Sequence, residues 1–270
     1  MRPSVNVQYY RPEKIPGIEI ARIESSNHCF PRHFHQHTYS LGLVDIGASY
    51  CLDKRSEALT SGCTTALINP GQIHTGIPYN DQVINYRMIY IAESFLNNLV
   101  YEITGRTESF EFKGLVSDDS FLRGGLNQLS QQIILEYPLM EIESSLLTVF
   151  SYLFGANMRI SCPDPVSDSV FERAKSSLGA NLNQTLSLED MANDMGLSRY
   201  QCLRGFKKKF GLTPHSYRIQ MRLEKAASLI RSGTGLLDTA MMTGFTDQSH
   251  FSKVFKNYYG ATPYQFALIQ

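Results

Sequence analysis

Two kinds of side chain in this sequence are spaced for chemistry. The first is a doubled row of hydrogen-bond donors. In SRYQCLRGFKKKFG, from Ser198, the residues Cys202, Phe206 and Phe210 recur every four positions, a helical spacing that turns one face inward. Ser198, Tyr200, Gln201, Leu203, Arg204, Lys207 and Lys208 are left off that face. In TDQSHFSKVFKNYYG, from Thr246, Phe251 and Phe255 mark the inward face. Gln248, Ser249, Ser252, Lys253, Lys256 and Asn257 then point outward, with His250 between the faces. Arg, Lys, Gln and Ser donate to base edges and phosphate oxygens, so both rows are candidate contacts to double-stranded DNA. A lone Lys207–Lys209 run would read equally well as a solvated helix end favoured by the macrodipole. The second kind is histidine. His33, His35 and His37 alternate, so in a strand they share one face, and His74 follows the turn at Asn69-Pro70-Gly71. Such a group can line a polar small-molecule pocket, sit at a structural rim, or ligate zinc or iron. The pocket candidates are His35, His37, Tyr39, His74 and Arg87.

The donors must be held by something, and an internal repeat supplies it. FKKKFGLTP from Phe206 recurs as FKNYYGATP from Phe255, an offset of 49; LEDMANDMGLS from Leu188 recurs as LLDTAMMTGFT from Leu236, an offset of 48. The second copy therefore carries one extra residue between the two blocks. Each copy predicts helix, tight turn, helix. Ala192 and Ala240 allow close helix crossing. Gly196 and Gly244 take the left-handed conformation that ends the first helix. Ser198 and Thr246 are placed to cap the second, Gly211 and Gly260 end it, and Thr-Pro pairs open the helix that follows. This is the helix-turn-helix pattern, whose second helix can enter a major groove. Between the copies, residues 214–233 predict a long amphipathic helix with Tyr217, Met221, Ala226, Leu229 and Ile230 as its apolar stripe. Such a stiff spacer, holding the two units about 34 Å apart, would serve two successive major grooves.

Upstream the pattern is different. From about 17 to 115, short alternating runs such as GIEIARIE and QVINYRMIYI predict an antiparallel sandwich or barrel. From about 119 to 158, Phe121, Leu122, Leu126, Leu129, Ile133 and Ile134, then Ile142, Leu146, Leu147, Val149, Phe150 and Leu153, predict two helices separated by Pro138. The expected fold is thus α+β and multidomain: residues 1–160, a linker at 161–169 (SCPDPVSDS), and an all-α domain at 170–270. Charge divides the same way, with 12 Lys and Arg against 17 Asp and Glu in residues 1–165, and 13 against 8 in residues 166–270. The basic half is the one expected to meet a polyanion. Five scattered cysteines without a CxxC pair argue against a structural zinc site or a disulfide framework. No apolar leader and no run of about 18 apolar residues occurs, so a cytoplasmic protein without a membrane partner is expected.

Residues 186–268, including GFTDQSHFSKVFKNYYGATPYQF, resemble the AraC/XylS-type DNA-binding domain over its full length. FPRHFHQHTYSLGLVDIG and LINPGQIHTGIP resemble the first and middle motifs of that family's cupin-like sensor barrel, which two dimerisation helices follow. The resemblance implies a transcription regulator rather than an enzyme, controlled by a small-molecule effector in the N-terminal barrel. It implies a homodimer, with RNA polymerase as a further partner; activation and repression both stay open. Cys202 and Leu203 depart from the family pattern, which leans base discrimination on Tyr200, Arg204 and the second recognition helix. Cupin enzymes add a carboxylate shortly after the His-x-His motif. Leu41 and Gly42 stand four and five positions after His37, so no metal and no cofactor is expected. Two rival readings are a metal-dependent cupin enzyme with an appended DNA-binding domain, and a constitutive DNA binder whose barrel serves only dimerisation.

Overall fold

The structure is a computed structural model that describes residues 6–52, 57–104, 110–156, 158–160, 170–180, 182–183 and 188–268; the predicted linker at 161–169 lies outside them. The chain divides into two units, Met1–Cys162 and Pro163–Leu268. In the first, β-branched and aromatic runs with period two form two antiparallel sheets. The larger is built from β1 (Asn6–Tyr10), β2 (Ile18–Ser26), β4 (Thr38–Ile46), β7 (Thr65–Ile68), β9 (Ile84–Ala92) and β11 (Val116–Ser117), in the order β1-β2-β9-β4-β7-β11. The smaller contains β3 (Phe30–His33), β5 (Ala48–Leu52), β6 (Glu57–Ser61) and β8 (His74–Pro78), ordered β3-β8-β5-β6. Phe30 of the smaller sheet meets Tyr86 of the larger edge-on, so the sheets face each other as an open, cupin-like barrel. The expected barrel is therefore present but not closed: no ladder joins the two sheets among the described residues.

Alternation gives the large sheet two jobs. In the register Tyr39↔Ile91, Leu41↔Ile89 and Leu43↔Arg87, one face turns away from the smaller sheet. It packs on α1 (Glu93–Thr104), α2 (Ser120–Ile134) and α3 (Leu139–Ala156), and Leu41, Leu43, Ile89, Ile91, Leu122, Leu126, Leu129, Phe150 and Leu153 form one core. Burying each of these side chains contributes about 1.5–3 kcal/mol. Two arginines pin α2 to the sheet. Arg123 donates to the carbonyls of Thr64 (2.8 Å) and Val44 (2.7 Å). Arg87 donates to the Asp45 carboxylate, to Ser130 (2.6 Å) and to Asn127 (2.7 Å). The opposite face, carrying Ser40, Gly42, Tyr86, Met88 and Tyr90, looks toward the smaller sheet. A two-stranded ladder of β10 (Phe110–Phe112) and β12 (Met158–Ile160) completes the unit. The strand pattern read as continuous from 17 to 115 is interrupted by α1, whose Leu96, Leu99 and Val100 are buried at helical spacing.

The second unit is helical throughout its described length. It comprises α4 (Val170–Ala180), α5 (Leu188–Asp194), α6 (Arg199–Phe210), α7 (Pro214–Arg231), α8 (Leu236–Met242), α9 (Gln248–Tyr259) and α10 (Pro263–Ala267). Among the described residues, no helix is long and apolar enough to cross a membrane.

Candidate nucleic-acid interface and histidine cluster

Each repeat folds as helix, turn, helix. After α5, Gly196 takes φ +64° and the Leu197 amide donates back to the Ala192 carbonyl at 2.9 Å. After α8, Gly244 takes φ +80° and the Phe245 amide donates to the Ala240 carbonyl at the same distance. Ser198 caps α6 in a reciprocal box: its hydroxyl accepts from the Gln201 amide (3.2 Å), and the Gln201 side chain accepts from the Ser198 amide (2.9 Å). In the second copy the cap is Asp247, which accepts from the His250 amide at 2.6 Å, and not Thr246. The extra residue of the second copy thus lies inside its turn, one position before the cap. A carboxylate is also the stronger acceptor beside the positive end of a helix. Gly211 and Gly260 close α6 and α9 at φ +75° and +72°, and Thr213 and Thr262 cap the next helices ahead of Pro214 and Pro263.

Counting from these caps, α6 and α9 correspond residue for residue at an offset of 49. Cys202 and Phe206 are fully buried in one, Phe251 and Phe255 in the other. Gln201, Leu203, Arg204, Lys207 and Lys208 are exposed on α6. Gln248, Ser249, His250, Lys253, Lys256 and Asn257 are exposed on α9, with Ser252 half-buried. Arg204 and Lys253 hold equivalent places, as do Lys207 and Lys256. Lys209 is turned the other way, pairing with Glu172 of α4 at 2.9 Å and covering the Phe210 ring. The His250 ring lies edge-on to Phe245 of the turn. Tyr200 lies in α6, and its side chain is outside the described residues.

The spacer α7 is buried on more sides than its apolar stripe suggests, since Arg218 and Gln220 are buried along with Tyr217, Leu223, Ala226 and Ile230. Met221 and Leu229 of the predicted stripe are only half-buried. The reason is that α7 packs on both repeats. Tyr217 meets Phe206 and Phe210 of the first, and Arg222 lies over Phe245 of the second while donating to the Leu182 carbonyl at 2.8 Å. Arg231 covers Phe266 of α10.

In the N-terminal unit, β3 and β8 pair so that His33 stands opposite His74, with ring centroids 4.1 Å apart. His35, just past β3, comes within 5.2 Å of His33 and 5.4 Å of His74, and stacks edge-on against Tyr90. Burial and the neighbouring rings disfavour the charged forms of His33 and His74. His33 is pushed down to about 3, by burial first and then by His35, and His74 is held well below the ordinary histidine range by burial first and then by His33 and His35. Both buried rings use Nδ1 against a backbone carbonyl, His33 to Pro31 (2.7 Å) and His74 to Gln72 (3.0 Å).

Residues 15–146 match the AraC-like ligand binding domain, and residues 191–268 match the helix-turn-helix domain. The HTH-type transcriptional regulator YbfI of Bacillus subtilis is 30% identical over 237 residues, which span 86% of this chain and 85% of YbfI. The chain belongs to the AraC family of transcriptional regulators. As an AraC-family member it joins a DNA-binding domain to a ligand-binding domain, and it is a transcription regulator rather than an enzyme. MtrA of Neisseria gonorrhoeae is 35% identical over 81 residues, 30% of this chain and 27% of MtrA. An apo ToxT variant of Vibrio cholerae shares the fold over 99% of this chain and 98% of its own, with TM-score 0.59 and 16% identity. Another ToxT structure, at TM-score 0.54 and 17% identity over 100% of this chain and 98% of ToxT, holds an unsaturated fatty acid.

For this AraC-family chain, the five pocket candidates do not converge. His35 and His74 meet, and the third member is His33. β3 ends at His33 and a turn holds Gln36 and His37, so the alternation stops before His37. His37 is an exposed residue 3.4 Å from Glu93. Tyr39 and Arg87 lie on the helix-packed face of the large sheet, opposite to the face that carries Tyr90. The Tyr39 hydroxyl donates to the Phe110 carbonyl at 2.6 Å, and Arg87 is engaged with Asp45 and α2. Two-residue alternation already excluded both from sharing a face with Ser40 and Tyr90; what the sequence lacked was which face looked toward the smaller sheet.

Proposed function

We propose that α6 and α9 enter two successive major grooves on one side of duplex DNA. Tyr200, Arg204, Gln248, Ser249, Ser252 and Lys253 read bases in this arrangement. Lys207, Lys208, Lys256 and Asn257 hold phosphates, while Ser198, Gln201 and His250 set the helix starts and add contacts at the groove edge. One observation carries this reading: two independently capped helices bury corresponding positions, Cys202 and Phe206 in α6 and Phe251 and Phe255 in α9, and expose corresponding rows with a cation at two matched places, Arg204 with Lys253 and Lys207 with Lys256. The two rows differ in side chains, so the site is two unlike boxes about one helical turn apart rather than a palindrome within one monomer's footprint. Selection of bound duplexes from a random library by the purified full-length chain tests it. Two boxes about 10–10.5 base pairs apart are expected; a single short box, or no preference, overturns the arrangement.

The same reading makes the open barrel the effector site and the α2–α3 surface a homodimer contact. Phe121 of α2 is 56% exposed, and Met140 (78%) and Leu147 (43%), seven residues apart on one side of α3, are exposed as well, apolar side chains that a second copy would cover. Leu147→Glu is expected to yield monomers in sedimentation velocity; an unchanged oligomeric state removes this contact. RNA polymerase is the further partner and the cytoplasm the compartment that promoter binding entails.

A further inference from the structure

The histidine cluster has the construction of a metal site. One ring nitrogen from each of His33, His35 and His74 lies within 4.8 Å of the other two. Tetrahedral coordination at about 2.0–2.1 Å places ligand nitrogens about 3.3 Å apart. His35 sits in the short connection between β3 and β4, outside any ladder, with its carbonyl accepting from the Gly71 amide at 2.7 Å. The cross-strand pair is pre-set. A carbonyl oxygen can only accept, so the contacts to Pro31 and Gln72 place the proton of each neutral ring on Nδ1. The lone pair of His33 and of His74 is thereby left on Nε2, the arrangement in which backbone carbonyls orient ligating imidazoles.

We propose that His33, His35 and His74 bind one divalent transition-metal ion of the zinc class in the open barrel, leaving a coordination position for an oxygen donor. Three imidazoles suit zinc, and the absence of a carboxylate after His37 does not prevent it, because three neutral nitrogens form a complete set with the fourth position open. The proposal goes beyond the DNA-binding reading and does not depend on it.

The test uses full-length protein stripped with a chelator and titrated with Co2+, whose visible absorption reports coordination, followed by displacement with Zn2+. One equivalent per chain is expected, with the bands abolished by Zn2+. The His35→Ala variant tests the ligand at the position least tied to the fold and should weaken binding by at least about 10-fold. His74→Asn should abolish it, and the double variant His28→Ala, His37→Ala should bind as the parent does. Circular dichroism confirms that each variant is folded. Absence of the bands, binding unchanged in His35→Ala, or binding lost in the His28, His37 variant overturns the site. Loss of DNA binding in any of these samples bears only on the C-terminal reading.

Discussion

The corresponding turn glycines Gly196 and Gly244 offer a sharp test of how the two repeats are built. Both hold a left-handed backbone, φ +64° and +80°, where a Cβ costs about 1–2 kcal/mol. At Gly196 that is the whole effect, because a Cβ would find nothing within 4 Å. At Gly244 it would lie 2.5 Å from the Leu182 carbonyl oxygen and 2.8 Å from Arg222 Nη2. Either the Leu182 segment moves or Arg222 gives up its 2.8 Å hydrogen bond to that carbonyl. Losing a hydrogen bond from a charged donor adds about 1.5–3 kcal/mol. Gly196→Ala should therefore destabilise the C-terminal unit by about 1–2 kcal/mol and Gly244→Ala by about 2.5–5 kcal/mol. For a unit of this size the first corresponds to a fall in Tm of roughly 5–10 °C and the second to at least about 12 °C. Scanning calorimetry of the full-length chain measures this, and the C-terminal transition is identified by its rise when duplex DNA is added. Gly196→Asn should recover most of the loss, since Asn tolerates the left-handed region, whereas Gly244→Asn should not. Equal losses at the two positions would refute the reasoning, because the backbone penalty alone would then account for both.

Three further outcomes follow from the geometry. Lys207→Ala and Lys256→Ala should weaken binding to all duplexes and flatten the salt dependence by about one unit each, whereas Arg204→Ala and Lys253→Ala should cost roughly 1–3 kcal/mol on the preferred site and relax base preference in one box; fluorescence anisotropy across a salt series separates the two classes. Arg87→Ala strips Asp45, Asn127 and Ser130 of their shared partner and should destabilise the N-terminal unit by about 3 kcal/mol in urea titration, while Lys14→Ala, at an exposed surface position, should stay within about 0.5 kcal/mol. Tyr39 is pushed up to about 12, by burial first and then by Glu93 and Glu111, so its ionised form is disfavoured in the folded chain. Its contribution to stability is complete below pH 10 and is lost as pH rises from about 10 through 12; burial also raises Tyr86 and Tyr217, so absorbance at 295 nm should show the late-titrating amplitude reduced by one tyrosine in Tyr39→Phe.

The helical unit was legible because its determinants are local. Caps, left-handed glycines and Thr-Pro starts act within a few residues, and duplication displayed each of them twice. One misreading there, Thr246 for Asp247, arose because both residues can cap and the insertion could not be placed within the turn from alignment of the two copies; another, the α7 stripe, arose because the helix packs on both repeats. The barrel was harder. Its strands were visible, but alternation gives two faces without saying which is covered by helices. That choice depends on α1, α2 and α3, and α1 was read as part of the strand region although Leu96, Leu99 and Val100 carry helical spacing. Tyr39 and Arg87 consequently read as pocket residues when they dock helices. His33 read as one of an alternating trio, and only the register that sets it opposite His74 picks it out over His37.

The way α7 is fastened has a consequence for the promoters such a protein can use. Its start is held by Phe206 and Phe210, and later residues by Phe245 and Phe266, so the two reading helices act as the marks on a ruler. A base change within one box can be absorbed by a side chain choosing another partner. One base pair inserted between the boxes cannot, because it displaces the second box by about 3.4 Å and turns it by about 35°. Target promoters should therefore tolerate a changed letter in either box more readily than a changed spacing between them.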